Sequence, residues 1–285
     1  MKDHTINFSS QPSTVSSPHR LYVVTGKGGV GKTSLSLAMV HHFKQMGIKA
    51  FYNSFDNPPD KELCQKLDIK SIHFSTDESA RTYISRKLGS EMIASWIMKT
   101  PFFNSLFNML PGLSSMILLG HLLKILDENP EYVLIIDSPS SGHAMTMFES
   151  THNFKEMFGA GLIVDDIKQM HDMLYDQGFF KAIITTLPTE MAFQEGLELK
   201  KYLQELDFKD VDLVINDSLV GWAQSTAVSK NSLPSFLTQK LEQEEQILLP
   251  YQQDISLSIP TITSGDQETL ILAISEILGK KSWPQ

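Results

Sequence analysis

One cysteine, Cys64, stands in 285 residues. No disulfide can close within the chain, no group of thiolates can form a soft-metal site, and a reducing, cytoplasmic setting is expected. Cationic residues are in short supply too: 24 Lys and Arg against 33 Asp and Glu leave a net charge of −9. A chain of that sign is a poor match for a phosphate backbone, so nucleic acid is not expected as a partner. Long apolar runs are missing. The richest stretch, 105–126, is interrupted by Asn108, Pro111, Gly112, His121 and Lys124, so no membrane span is expected. Residues 1–19 are polar, rich in Ser, Thr and Pro, and carry no apolar leader core, so they read as a disordered N-terminal tail. No internal repeat appears. What is plentiful is core material: 41% of residues are hydrophobic, enough for one large α/β domain over 20–285.

Apolar runs and helical periodicity alternate along that domain. Leu21-Tyr22-Val23-Val24 predicts a buried strand. A helix follows from Lys32, with Leu35, Ala38, Met39, Phe43 and Met46 at helical spacing and Gly47 as its stop. Further strands are predicted at 49–53, at 72–74 as a short one, at 132–136, at 182–186, at 211–215 and at 247–249. A terminal amphipathic helix is predicted at 267–278. Between about 77 and 128 no strand pattern appears. That stretch is rich in Met, Leu, Ile and Phe and reads as an inserted helical subdomain. Strands alternating with helices imply a three-layer α/β fold with a mostly parallel sheet, and ligands of such sheets sit at the carboxyl ends of strands. Gly26, Asp56, Asp137 and Asn216 fall there.

The segment Gly26-Lys27-Gly28-Gly29-Val30-Gly31-Lys32-Thr33 matches GxxxxGK[ST] between a strand and a helix, which makes the fold a P-loop NTPase. Glycines let backbone N–H groups converge on phosphate oxygens, and the helix N-terminus adds partial positive charge. Gly26, Gly28, Gly29, Val30 and Gly31 are therefore expected to cradle a nucleotide, ATP with Mg2+. Lys32 should reach its β- and γ-phosphates, Thr33 should ligate the magnesium, and Ser34 should approach the α-phosphate. Asp137, closing an apolar strand, is the expected carboxylate of the metal's shell.

The run Lys-Gly-Gly-Val-Gly-Lys-Thr resembles the deviant phosphate loop shared by arsenical-pump ATPases, tail-anchored-protein-targeting ATPases, Min and Par ATPases and nitrogenase iron protein. The stretch Asp137-Ser138-Pro139-Ser140-Ser141-Gly142-His143 is similar to the second switch of the arsenical-pump and tail-anchor-targeting group, Asp-Thr-Ala-Pro-Thr-Gly-His. It departs at Pro139 and Ser140. Ser54-Phe55-Asp56-Asn57-Pro58 resembles that group's first switch, Ser-Thr-Asp-Pro-Ala, departing at Asn57 and Pro58. Leu187-Pro188-Thr189-Glu190 resembles its post-strand Pro-Glu-Glu segment, and Leu249-Pro250 resembles its later proline near the base.

The resemblance implies a dimeric ATPase that changes shape with its nucleotide. It implies Lys27 and Lys32 as the cations on the reacting phosphates, with Lys27 reaching the partner's nucleotide. It further implies Asp56 as the residue orienting the attacking water, and Asn216 as the reader of adenine. His143 is either a switch residue or a structural histidine. The partner is a second identical chain or a paralogous ATPase, and the client, a protein, is left open. One Cys cannot supply the thiolates of an arsenite site, a Cys-x-x-Cys zinc clasp or an iron–sulfur cluster. Two other functions fit the residues. One is a Min/Par-type positioning ATPase, whose terminal helix, with Leu270, Ile271, Ile274, Ile277 and Leu278 on one stripe, would contact a membrane surface. The other is a low-turnover nucleotide-binding half of a heterodimer. The Met- and Phe-rich stretch from Met92 to Leu126 reads either as plain core or as an adaptable apolar groove.

Overall fold

The computed structural model describes residues 18–55, 57–101, 103, 105, 109, 112–139, 148–149, 162–226 and 233–284. They form six strands and ten α-helices. The strands are β1 (Leu21–Thr25), β2 (Lys49–Asn53), β3 (Tyr132–Asp137), β4 (Phe180–Thr186), β5 (Val211–Ser218) and β6 (Ile255–Pro260). They make one sheet in the order β2-β3-β1-β4-β5-β6, and every pairing is parallel. The helices are α1 (Lys32–Gln45), α2 (Lys61–Lys66), α3 (Thr76–Leu88), α4 (Glu91–Met98), α5 (Leu113–Glu128), α6 (Leu162–Tyr175), α7 (Glu190–Glu205), α8 (Leu219–Thr226), α9 (Ser235–Leu248) and α10 (Gln267–Lys281).

The strands' alternate residues build two cores. Leu21, Val23, Leu134, Ile136, Ala182, Ile184, Leu213 and Ile215 face one side, against Leu118, Leu119 and Leu122 of α5, Phe193 and Leu203 of α7 and Leu241 of α9. Tyr22, Val24, Val133, Ile135, Ile183 and Val214 face the other, against α1, α2 and α10. Burial on both faces is why the central strands are continuously apolar rather than alternating. The result is the three-layer P-loop fold with its sheet wholly parallel. Outside the first helical layer, α3 packs on α5 and α4 on α3.

Two strand predictions are corrected. Residues 247–249 are the end of α9 and a 3-10 turn, Leu249–Tyr251, and the last strand is β6. Residues 72–74 form no strand; only Ser71 bridges to Tyr52. His19 is buried beside β1, its backbone N–H donating to the Tyr22 hydroxyl at 3.0 Å. The apolar stripe of α10 is covered: Ile271, Ile274 and Leu278 are buried in the core shared with α1. Among the described residues no helix is long and apolar enough to cross a membrane.

Candidate active site

β1 delivers the chain into the loop at Gly26, whose φ of 139° suits glycine. A Cβ there would stand 2.1 Å from the Thr185 carbonyl oxygen at the end of β4. Gly31, φ 94°, is the N-cap of α1, and a Cβ on it would stand 2.2 Å from Asn216 Nδ2. The loop is thus closed in from β4 and β5, while Gly28 and Gly29 have open space beside them. Asp60, Ser75, Ser90 and Asp266 cap α2, α3, α4 and α10 with their side chains. Among the described residues no side chain caps α1, and its first turn carries no acid. Its first N–H groups and its dipole suit an anion.

The Lys32 ammonium donates to the Gly26 carbonyl at 3.1 Å and to that of Lys27 at 2.9 Å. Burial lowers its pKa and the nearby Asp137 raises it. The Thr33 hydroxyl donates to Asp137 Oδ2 at 2.6 Å, and the Tyr52 hydroxyl donates to the same oxygen at 2.9 Å. Burial pushes the Asp137 carboxyl above its ordinary pKa; Thr33, Tyr52 and Lys32 oppose that shift. Burial, then Asp137, push the Tyr52 phenol upward, so it stays a donor. A hydroxyl and a carboxylate in contact beside a phosphate loop are the hard oxygen donors that fit magnesium. Among the described residues no three His, Cys, Asp or Glu side chains gather to hold a metal. Magnesium shared with phosphates and water needs no such cage.

Lys27 forms an ion pair with Glu195 of α7 at 3.0 Å, both side chains partly exposed. Asn216, within β5, donates from Nδ2 to the Val30 carbonyl at 3.0 Å. Ser34 lies half-buried in the first turn of α1. Beyond Asn216, Asp217 takes a positive φ of 57° and the chain turns into α8. Buried Glu244 of α9 accepts there from the Ser218 hydroxyl and from the N–H groups of Leu219 (2.9 Å) and Val220 (3.1 Å). Burial raises its pKa and those three donors lower it.

The structure therefore gathers Gly26 to Thr33, Asp137 and Asn216 at one end of the sheet. Asp56 and His143 lie outside the described residues. Phe55, just before Asp56, is buried with φ 57°, and its N–H donates to Asn53 Oδ1 at 3.0 Å, so the chain turns sharply out of β2 there. Sequence reasoning missed Tyr52, Glu195 and Glu244. Only register signals Tyr52: it pairs with Ile135, two residues short of Asp137.

The sequence model of the family described as anion-transporting ATPase matches residues 19–162. Over 290 aligned residues, the chain is 23% identical to "Putative arsenical pump-driving ATPase 2" of Aquifex aeolicus (strain VF5). The alignment covers 85% of this chain and 92% of that relative.

Proposed function

This chain belongs to the anion-transporting ATPase family and hydrolyses ATP, and we propose that it does so with magnesium, as a dimeric switch that couples the nucleotide to a protein client. The observation that carries the reading is the contact of Thr33 with Asp137 at the mouth of the glycine loop. Lys32 neutralises the β- and γ-phosphates. Thr33 and Asp137 would hold magnesium, which would supply positive charge to the phosphoryl oxygens. Asp56 orients the attacking water. Phosphoryl transfer asks for positioning and charge stabilisation more than for a strong base, so a carboxylate of ordinary basicity serves. Asn216 turns its amide between the loop and the adenine edge, since an amide both donates and accepts.

The client side is the helical layer away from the sheet. A cavity of about 520 Å³ opens between α3, α5 and α6, walled by Ile84, Phe103, Met116, Ile117, Met170 and Met173. On α4, Met92 (83% exposed) and Trp96 (70%) stand in solvent one turn apart. An exposed aromatic and flexible methionines suit an apolar segment of another protein. The lone Cys64 is buried, and burial raises its pKa, so this chain offers no thiolate set for arsenite.

Titration calorimetry with ATP and magnesium tests the site. Wild type binds; folded Lys32→Ala shows no measurable heat. Undiminished affinity in that variant overturns the assignment.

A further inference from the structure

Tyr52 is 3% exposed on β2, in an otherwise apolar setting, yet its hydroxyl reaches the end of β3. There it donates to Asp137 Oδ2 at 2.9 Å, the oxygen that also accepts from Thr33 at 2.6 Å. Resting on the reading of Asp137 as the magnesium carboxylate, we propose that Tyr52 is a positioning residue that fixes this carboxylate and ties metal occupancy to the helical layer.

The backbone of the same residue makes the second half of the connection. The Tyr52 N–H donates to the Lys70 carbonyl at 2.9 Å, and the Tyr52 carbonyl accepts from the Ile72 N–H at 2.9 Å. Asn53 Nδ2 donates to the Ile72 carbonyl at 2.8 Å, while Asn53 Oδ1 accepts from Phe55 N–H, one residue before Asp56. Residues 70–72 lead straight into α3. Phe74 packs its ring 4.2 Å from that of His121 on α5, and His121 Nδ1 lies 3.0 Å from Ser79 Oγ on α3. A buried phenol hydrogen-bonded at its tip to the metal carboxylate and at its backbone to this segment transmits a shift at either end, because close-packed interiors resist continuous deformation. Both hydroxyl protons fall on Oδ2, and among the described residues neither is shared with Oδ1. Coupling along such a chain is a claim about energy and has to be measured as one.

The experiment compares wild type, Tyr52→Phe, Asp137→Asn and the double variant. ATP affinity is measured with magnesium and with a chelator, and hydrogen exchange over 70–88 is followed on adding magnesium to the ATP complex. Phenylalanine keeps the ring and removes one hydrogen bond to a charged group. ATP affinity should fall about tenfold with magnesium and change less than twofold without it. In the Asp137→Asn background Tyr52→Phe should do nothing further. Magnesium should change protection over 70–88 in wild type and not in Tyr52→Phe. An equal loss with and without magnesium, or full additivity with Asp137→Asn, overturns the proposal. If Asp137→Asn itself leaves the magnesium dependence intact, the reading of Asp137 fails and Tyr52 falls with it. If Tyr52→Phe does not fold, the wild-type exchange decides alone: no magnesium-dependent change over 70–88 overturns the coupling.

Discussion

Lys32 gives two of its three protons to carbonyls of its own loop, which holds the ammonium in place and leaves one proton for a phosphate. Asp137 carries the opposite burden. Burial raises its pKa despite two hydroxyl donors and Lys32, so ionising it works against the fold. Its folded pKa lies above the unfolded one. The stability it contributes is therefore present below the unfolded pKa and lost as pH rises through the folded pKa. Asp137→Asn keeps an acceptor for Thr33 and Tyr52 and removes the charge. Without nucleotide its melting temperature should match or exceed that of wild type at pH 7, and the difference should shrink as pH falls toward the carboxylate range. A gain of 1 kcal/mol would read as about 2–4 °C in a chain of this size. Magnesium should no longer strengthen its ATP binding. A variant less stable than wild type at pH 7 would contradict the strain assigned to Asp137. At this scale the sequence is most informative where chemistry is contiguous. Gly26 to Thr33 is one run, so its roles can be read in order. Tyr52 and Glu195 reach Asp137 and Lys27 through pairing and packing that no local pattern encodes.

The elements show the same divide. β1 and β3 are continuous apolar runs and stand out. Residues 247–249 form a short apolar run too, but they are the end of α9 and the start of the 3-10 turn after it, and the buried apolar residues of α9 are Leu241 and Leu248. Three apolar residues do not separate a strand from a helix turn. β6 escapes notice for the opposite reason. Ile255-Ser256-Leu257-Ser258-Ile259 alternates apolar and polar residues at the edge of the sheet, so no continuous apolar run marks it, although Leu257, Ser258 and Ile259 are buried. Glu244 shows why α9 matters to the site although no motif names it. It accepts from Ser218, Leu219 and Val220 just beyond Asn216, and so holds the exit from β5. Glu244→Ala leaves two N–H groups and a hydroxyl without that acceptor. Each unsatisfied buried donor costs about 1–3 kcal/mol, so we expect a loss of about 3 kcal/mol, read as a melting temperature about 6–12 °C lower. Glu244→Gln, which keeps one acceptor oxygen, should lose less. Equal melting of Glu244→Ala and wild type would show that water replaces the carboxylate without cost.

For the whole molecule the open assignment is Lys27, the loop's second lysine. Within the chain it pairs with Glu195 at 3.0 Å, but both side chains are partly exposed. Such a pair is worth about 0–1 kcal/mol, at most about a fivefold preference. Several phosphate charges in an interface that excludes water attract the same ammonium far more strongly. Glu195 therefore restrains Lys27 without trapping it, and Glu195→Gln should lower the protein concentration for half-maximal turnover by no more than about fivefold. Lys27→Ala should bind ATP as wild type does and turn it over at least a hundredfold more slowly, the scale of one lost cation or donor at a transition state. Mixing decides whether the lysine acts on its own nucleotide or the partner's. In a heterodimer of Lys27→Ala with Asp56→Asn, one site keeps its own Asp56 and receives an intact Lys27 from across the interface. Random pairing of equal amounts makes that site roughly a quarter of the total, so the mixture should regain roughly a quarter of wild-type turnover. Neither variant should do so alone. Wild-type specific activity should also rise with protein concentration toward a plateau. No recovery in the mixture, together with concentration-independent turnover by a monomer, would place Lys27 on its own chain's nucleotide and remove the dimer from the reaction.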